Sequence, residues 1–152
     1  MGKLLISVVI ILVLSIFWVG SAEYAYYQKI NYYSSEQVEQ IHQAGDILPI
    51  PSEYYTFINL SIYLFYISCI IVFLLSLFYM FKNSDSKGYF KSLIIPVCFI
   101  LFSFIGATIL SQNTSIFSGE GGLKAVIPFF ILLGLLILTG IANLFIYLVR
   151  RH

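Results

Sequence analysis

The titratable side chains that share a spacing in this chain collect in one stretch. In "SSEQVEQIHQAG", Glu36, Glu39 and His42 recur at every third position, and Asp46 follows shortly after. At 3.6 residues per turn, this places two carboxylates and an imidazole near one helical face. Glu-x-x-His is a metal-ligand spacing, but di-metal bundles need two such motifs together with carboxylates from other helices. The only other histidine is His152, expected on the far side of a membrane. The cluster therefore reads as a solvated helix face, and we expect no catalytic, cofactor-binding or metal site. A lipid-handling enzyme at an outer surface, using Glu36, Glu39, His42 and Asp46, is the enzymatic alternative.

The rest of the chain explains this isolation. Residues are 60% hydrophobic and 10% charged, where soluble domains carry about a quarter charged. Four stretches, 4–22, 57–81, 93–111 and 125–149, contain no Asp, Glu, Lys, Arg or His. Each meets the roughly 17 to 25 residues needed to cross a hydrocarbon core as a helix. They lack the alternation of barrel strands, and in lipid only helices or closed barrels satisfy every backbone polar group. The expected fold is all-α: an antiparallel four-helix transmembrane bundle forming one polytopic domain over 1–152. Its outer loop, 23–56, carries a short extracytoplasmic helix.

Orientation follows from the sorting of basic residues. Lys3 precedes span 1, Lys82, Lys87 and Lys91 lie between spans 2 and 3, and Arg150 and Arg151 follow span 4; only Lys29 and Lys124 fall in the other loops. The positive-inside bias then puts both termini in the cytoplasm of a cell whose plasma membrane the chain crosses. Abundant Ile, Phe, Tyr, Ser and Lys suggests a bacterial source with an AT-rich genome. Span 1 has a second reading as a signal peptide, with Gly20 and Ala22 at the −3 and −1 positions. Cleavage would leave three spans with the same loop outside.

Within the outer loop, Tyr24, Tyr26, Tyr27, Tyr54 and Tyr55 flank the ends of spans 1 and 2 and suit an interfacial belt, with rings buried and hydroxyls wet. Ser34 and Gln37 have capping-box spacing, and Gly45 can end the helix they start. Val38 and Ile41 share a face expected to lie on the bundle or on headgroups. Pro49 and Pro51 force extended backbone, and Ser52 can cap span 2. The segment reads as a lid over the outer helix ends.

Inside the spans there is no ionisable residue, which removes the carboxylate that proton-coupled exporters use. Cys69 and Cys98 both lie in spans, so no disulfide framework is implied and thiol oxidase chemistry is excluded. What remains are packing features. Ser103, Ala107 and Ser111 run at intervals of four along span 3 with Gly106 beside them, and Gly134 and Gly140 punctuate span 4; small residues so placed let backbones approach. Asn143 is the strongest polar group and is expected to hydrogen-bond across a helix interface. Ser61, Ser68 and Tyr79 fall near one face of span 2. Pro96 and Pro128 are placed near the starts of spans 3 and 4, where first-turn proline is tolerated.

The functional expectation is a non-enzymatic protein, without cofactor, that binds another membrane component: an accessory subunit, a regulator or an immunity-type protein. Its partners are the lipid bilayer and a membrane protein or further copies of itself, and no nucleic acid. The alternative is an oligomeric transporter or channel for small neutral or lipid-like molecules, lined by hydroxyls. The order of short inner ends, a large first outer loop and a smaller second one resembles animal tetraspan junction proteins. Their paired loop cysteines and loop tryptophan are missing, so no family is assigned.

Overall fold

A computed structural model describes residues 2–44, 52–83, 85–110 and 122–151. Gly45, Asp46, Pro49, Pro51 and Ser111 lie outside these residues, as do the side chains of Tyr26, Val38, Ile41 and His42. The described chain is helical, with no strand: α1 (Gly2–Asn31), α2 (Ser35–Ala44), α3 (Ser52–Lys82), α4 (Ser86–Leu110) and α5 (Gly122–Arg151). Four helices are long and apolar enough to cross a membrane, over Leu4–Ala25, Ser52–Lys82, Ser86–Ile109 and Phe130–Arg150.

The helices outrun the charge-free stretches, so the segment 23–56 is largely helical where a loop was expected. Polar residues continue α1 by bonding one turn back: Gln28 Nε2 donates to Tyr24 Oη at 2.7 Å, and Asn31 Nδ2 to the Tyr27 carbonyl at 3.0 Å. A helix needs only its own ladder to propagate, and charge marks where lipid ends, not where the helix ends. The same extension moves the prolines. Pro96 is deep inside α4 and Pro128 is in the second turn of α5, so neither occupies a first turn as expected.

α2 begins as its sequence requires. The Ser34 amide donates to Gln37 Oε1 at 3.0 Å and the Gln37 amide to Ser34 Oγ at 3.3 Å, a reciprocal capping box. Among the described residues α2 has no contact with another helix, and the Val38 and Ile41 side chains expected to lie on the bundle fall outside them.

The remaining helices form one packed group. α1 lies against α3 and α4, α5 lies against the same two, and among the described residues α1 and α5 do not meet. The core therefore follows the α3–α4 seam, with Phe65, Val72, Ile95 and Phe99 buried there and Ile11, Trp18, Val19 and Leu132 entering from either side. Trp18 tilts onto Phe65 with centroids 4.9 Å apart, and Tyr24 meets Phe57 edge-on at 4.7 Å. Large apolar side chains cover the outside, among them Leu5, Ile16, Ile70, Ile109 and Phe145. Such a surface suits lipid, whose tails are as apolar as leucine.

A tight turn joins α3 to α4. The Asn83 amide closes on the Tyr79 carbonyl at 3.1 Å, and Asp85 caps α4 by accepting the Gly88 amide at 2.7 Å. A Cβ on Gly88 would sit 1.7 Å from the Asn83 carbonyl oxygen, so only glycine fits. At the same end, Arg150 donates to the Phe81 carbonyl and lies over the Phe81 ring at 5.3 Å, tying α5 to the last turn of α3.

Candidate functional site

Two groups stand out among the polar atoms inside the apolar helices. Ser61, Ser68, Thr108 and Thr139 donate to carbonyls of their own helix at 2.6 to 2.7 Å, which hides each hydroxyl without linking anything. Ser76, Ser92 and Asn143 instead meet at the junction of α3, α4 and α5, and all three are at most 0% exposed.

Proline explains how this junction arises. Pro96 has no N–H, so the Ser92 carbonyl one turn earlier loses its usual helical partner. The Ser76 hydroxyl of α3 donates to that carbonyl at 2.7 Å. The Ser92 hydroxyl donates to the Tyr89 carbonyl at 2.7 Å. Both hydroxyl oxygens then keep a lone pair, and Asn143 Nδ2 of α5 donates to each at 2.9 Å. Every proton of the amide group and of both hydroxyls is thus used. With the amide turned over, its oxygen would face two hydroxyls already committed to carbonyls. Asn143 Oδ1 is left buried without a partner, as is Ser15 Oγ on α1.

A second link crosses from α1 to α4. Trp18 Nε1 donates to Ser103 Oγ at 3.1 Å within the core. Next to it, Val19 Cγ1 lies 3.8 Å from where a Gly106 Cβ would stand, and Ala107 is buried. The small residues of α4 thus face α1.

The other residues singled out by sequence are scattered. Gly140 faces Leu93 at 3.9 Å from its Cβ position, whereas nothing lies within 4 Å of the Cβ position of Gly134. Of the tyrosines, Tyr24, Tyr27 and Tyr55 are exposed and Tyr54 is buried, with the Tyr54 and Tyr55 rings edge-on at 5.6 Å. Glu36 and Glu39 are exposed on α2. The described residues hold no group of three or more His, Cys, Asp and Glu placed to bind a metal. Cys69 and Cys98 are free thiols.

Sequence reasoning singled out Asn143 without its partners, Ser76 and Ser92. A signal was present, since Ser92 stands four residues before Pro96 and so carries the carbonyl that proline frees. Trp18, which no spacing argument singles out, is a core residue. Glu23 was assigned to a loop and is instead a buried residue of α1.

Chemically, the node is neutral. It holds no group that ionises near neutral pH, so its capacity is to bond and orient helices, not to move protons. No protein-family model matches the chain, and no curated protein and no solved structure matches it either.

Proposed function

We propose that this chain is a non-enzymatic, multi-pass protein of the plasma membrane that acts by binding another membrane component, as an accessory subunit, regulator or immunity-type protector. Its four long helices traverse the bilayer alternately up and down, with both termini in the cytoplasm and α2 outside. Alternation is supported by the pairing of Trp18 with Phe65 and of Tyr24 with Phe57, which runs forward along α1 and backward along α3. The orientation is supported by Lys82, Lys87, Lys91 and Arg150 at one end.

One observation carries the binding reading. Span hydroxyls such as Ser68, Ser76, Ser92 and Thr139 are consumed by their own helices or by the node, which disfavours a hydroxyl-lined path, while α2 presents a polar surface with no contact to another helix among the described residues. A helix capped at its start and, among the described residues, without contact to another helix offers a surface for another molecule.

The test is extraction of a tagged chain from native membranes in mild detergent, with crosslinking. A defined membrane protein should copurify, and should be lost when α2 is replaced by a flexible linker of equal length. Recovery as a lone monomer in both cases would sink the proposal. The transporter alternative predicts instead a water-accessible stripe through α3 when its positions are replaced one by one by cysteine and probed with a polar thiol reagent.

A further inference from the structure

The first turns of α1 and the last turns of α3 leave a groove of 260 Å³ between them. Ile6, Ile10 and Phe78 supply apolar wall, and towards the C-terminal end of α3 the lining becomes polar with Tyr79, Lys82 and Asn83. Lys82 is exposed, and its ammonium lies over the Phe78 ring, 4.4 Å from the centroid. Among the described residues no carboxylate pairs with it. The nearest acidic residue in sequence, Asp85, is engaged by the Gly88 amide at 2.7 Å. Arg150 adds a second positive charge at the neighbouring Phe81. Lys82 thus gives the mouth of the groove a positive charge with no carboxylate paired to it among the described residues.

We infer that this groove holds one anionic phospholipid, with its phosphate at Lys82 and the upper part of an acyl chain along Ile6, Ile10 and Phe78. Three features favour a lipid over a soluble phosphate compound. The walls are apolar, and in hydrocarbon a lateral groove is filled by chains because no water is there to occupy it. The volume, 260 Å³, falls below the ~300 to 1,000 Å³ that encloses a small molecule whole, so the occupant must extend beyond the groove. Finally, a lysine at the end of an apolar helix sits at headgroup depth, where basic pockets between helices recognise acidic lipids. The inference rests on the membrane reading and is independent of any protein partner.

The test uses the purified full-length chain, stripped of lipid in a neutral detergent. It is offered equal amounts of phosphatidylglycerol and phosphatidylcholine with identical chains, and bound lipid is read by native mass spectrometry. The wild type should retain phosphatidylglycerol about fivefold over phosphatidylcholine, the effect of one basic residue at a membrane surface. Lys82→Gln should abolish the preference, Lys82→Arg should keep it, and Ile10→Phe should fill the groove and reduce both lipids. Inorganic phosphate alone should not displace the bound lipid. Equal retention of the two lipids by the wild type, an intact preference in Lys82→Gln, or displacement by phosphate would each overturn the assignment. Unchanged Trp18 emission in each variant separates loss of the site from loss of the fold.

Discussion

The hydroxyl of Ser76 takes the place of a missing backbone amide, donating at 2.7 Å to the Ser92 carbonyl that Pro96, one turn on, cannot reach. A backbone acceptor freed in an apolar interior costs about 1 to 3 kcal/mol if left unpaired, so proline and serine form one unit. Ser76→Ala should therefore destabilise the bundle by that order. Pro96→Ala restores the amide and should make the same serine substitution cheaper by about 1 kcal/mol. The measurement is a double-mutant cycle by unfolding in mixed micelles of neutral detergent and dodecyl sulfate. Strictly additive losses would show that the two residues do not share the carbonyl.

Asn143 carries both remaining bonds of the node, at 2.9 Å to Ser76 and Ser92. Asn143→Leu should cost about 1 to 2 kcal/mol, the range for interhelical hydrogen bonds in lipid, moderated because Leu also removes the unpaired Oδ1. Asn143→Asp should do worse. It replaces the donor by a second acceptor, and a carboxylate in a span costs at least about 2.5 to 3.5 kcal/mol on insertion. The check is the yield of folded protein and its unfolding midpoint. An aspartate variant as stable as the leucine variant would mean that the amide does not donate to the two serines.

Glycines of this chain separate sharply in what they tolerate. A Cβ on Gly88 would stand 1.7 Å from a backbone oxygen of Asn83, whereas one on Gly134 meets nothing within 4 Å. Gly88→Ala must open the α3–α4 turn and should cost about 3 kcal/mol or more, in the range reserved for severe backbone conflicts. Gly134→Ala adds a better helix former without contact and should be neutral or stabilising by up to about 1 kcal/mol. Thermal unfolding of the two purified variants in the same detergent decides this. Equal effects would contradict the turn geometry.

The number of long apolar helices was legible because nothing else in this composition can cross lipid, and the capping box at Ser34 and Gln37 was legible because it needs only local spacing. The length of α1 was not, since Glu23 ends a charge-free run without interrupting a backbone ladder. The misplacement of Pro96 arose in the same way at the start of α4, and with it the node, because the freed carbonyl becomes visible only when the proline is known to be internal. Asn143 drew notice as an expensive residue, but its partners lie on two other helices, 51 and 67 positions away. Hydroxyls in spans are common, and sequence does not say which of them leave their own helix.

Trp18 offers the most direct report on packing, since it is the only tryptophan of the chain. Its ring is 3% exposed, tilts onto Phe65 at 4.9 Å and donates from Nε1 to Ser103 at 3.1 Å. Emission from the folded protein should thus resist quenching by both iodide and acrylamide. Trp18→Phe keeps a ring against Phe65 while removing the donor, and Ser103→Ala removes the acceptor. Each should cost about 0.6 to 1.7 kcal/mol, and the pair together little more than one alone. Ser103→Ala should also shift the emission, since the indole N–H loses a bonded oxygen. Ready quenching by iodide in the intact protein would place Trp18 at the surface. The seam between α1 and the small residues of α4 would then have to be redrawn, because Val19 and Gly106 meet only when the indole beside them is inside.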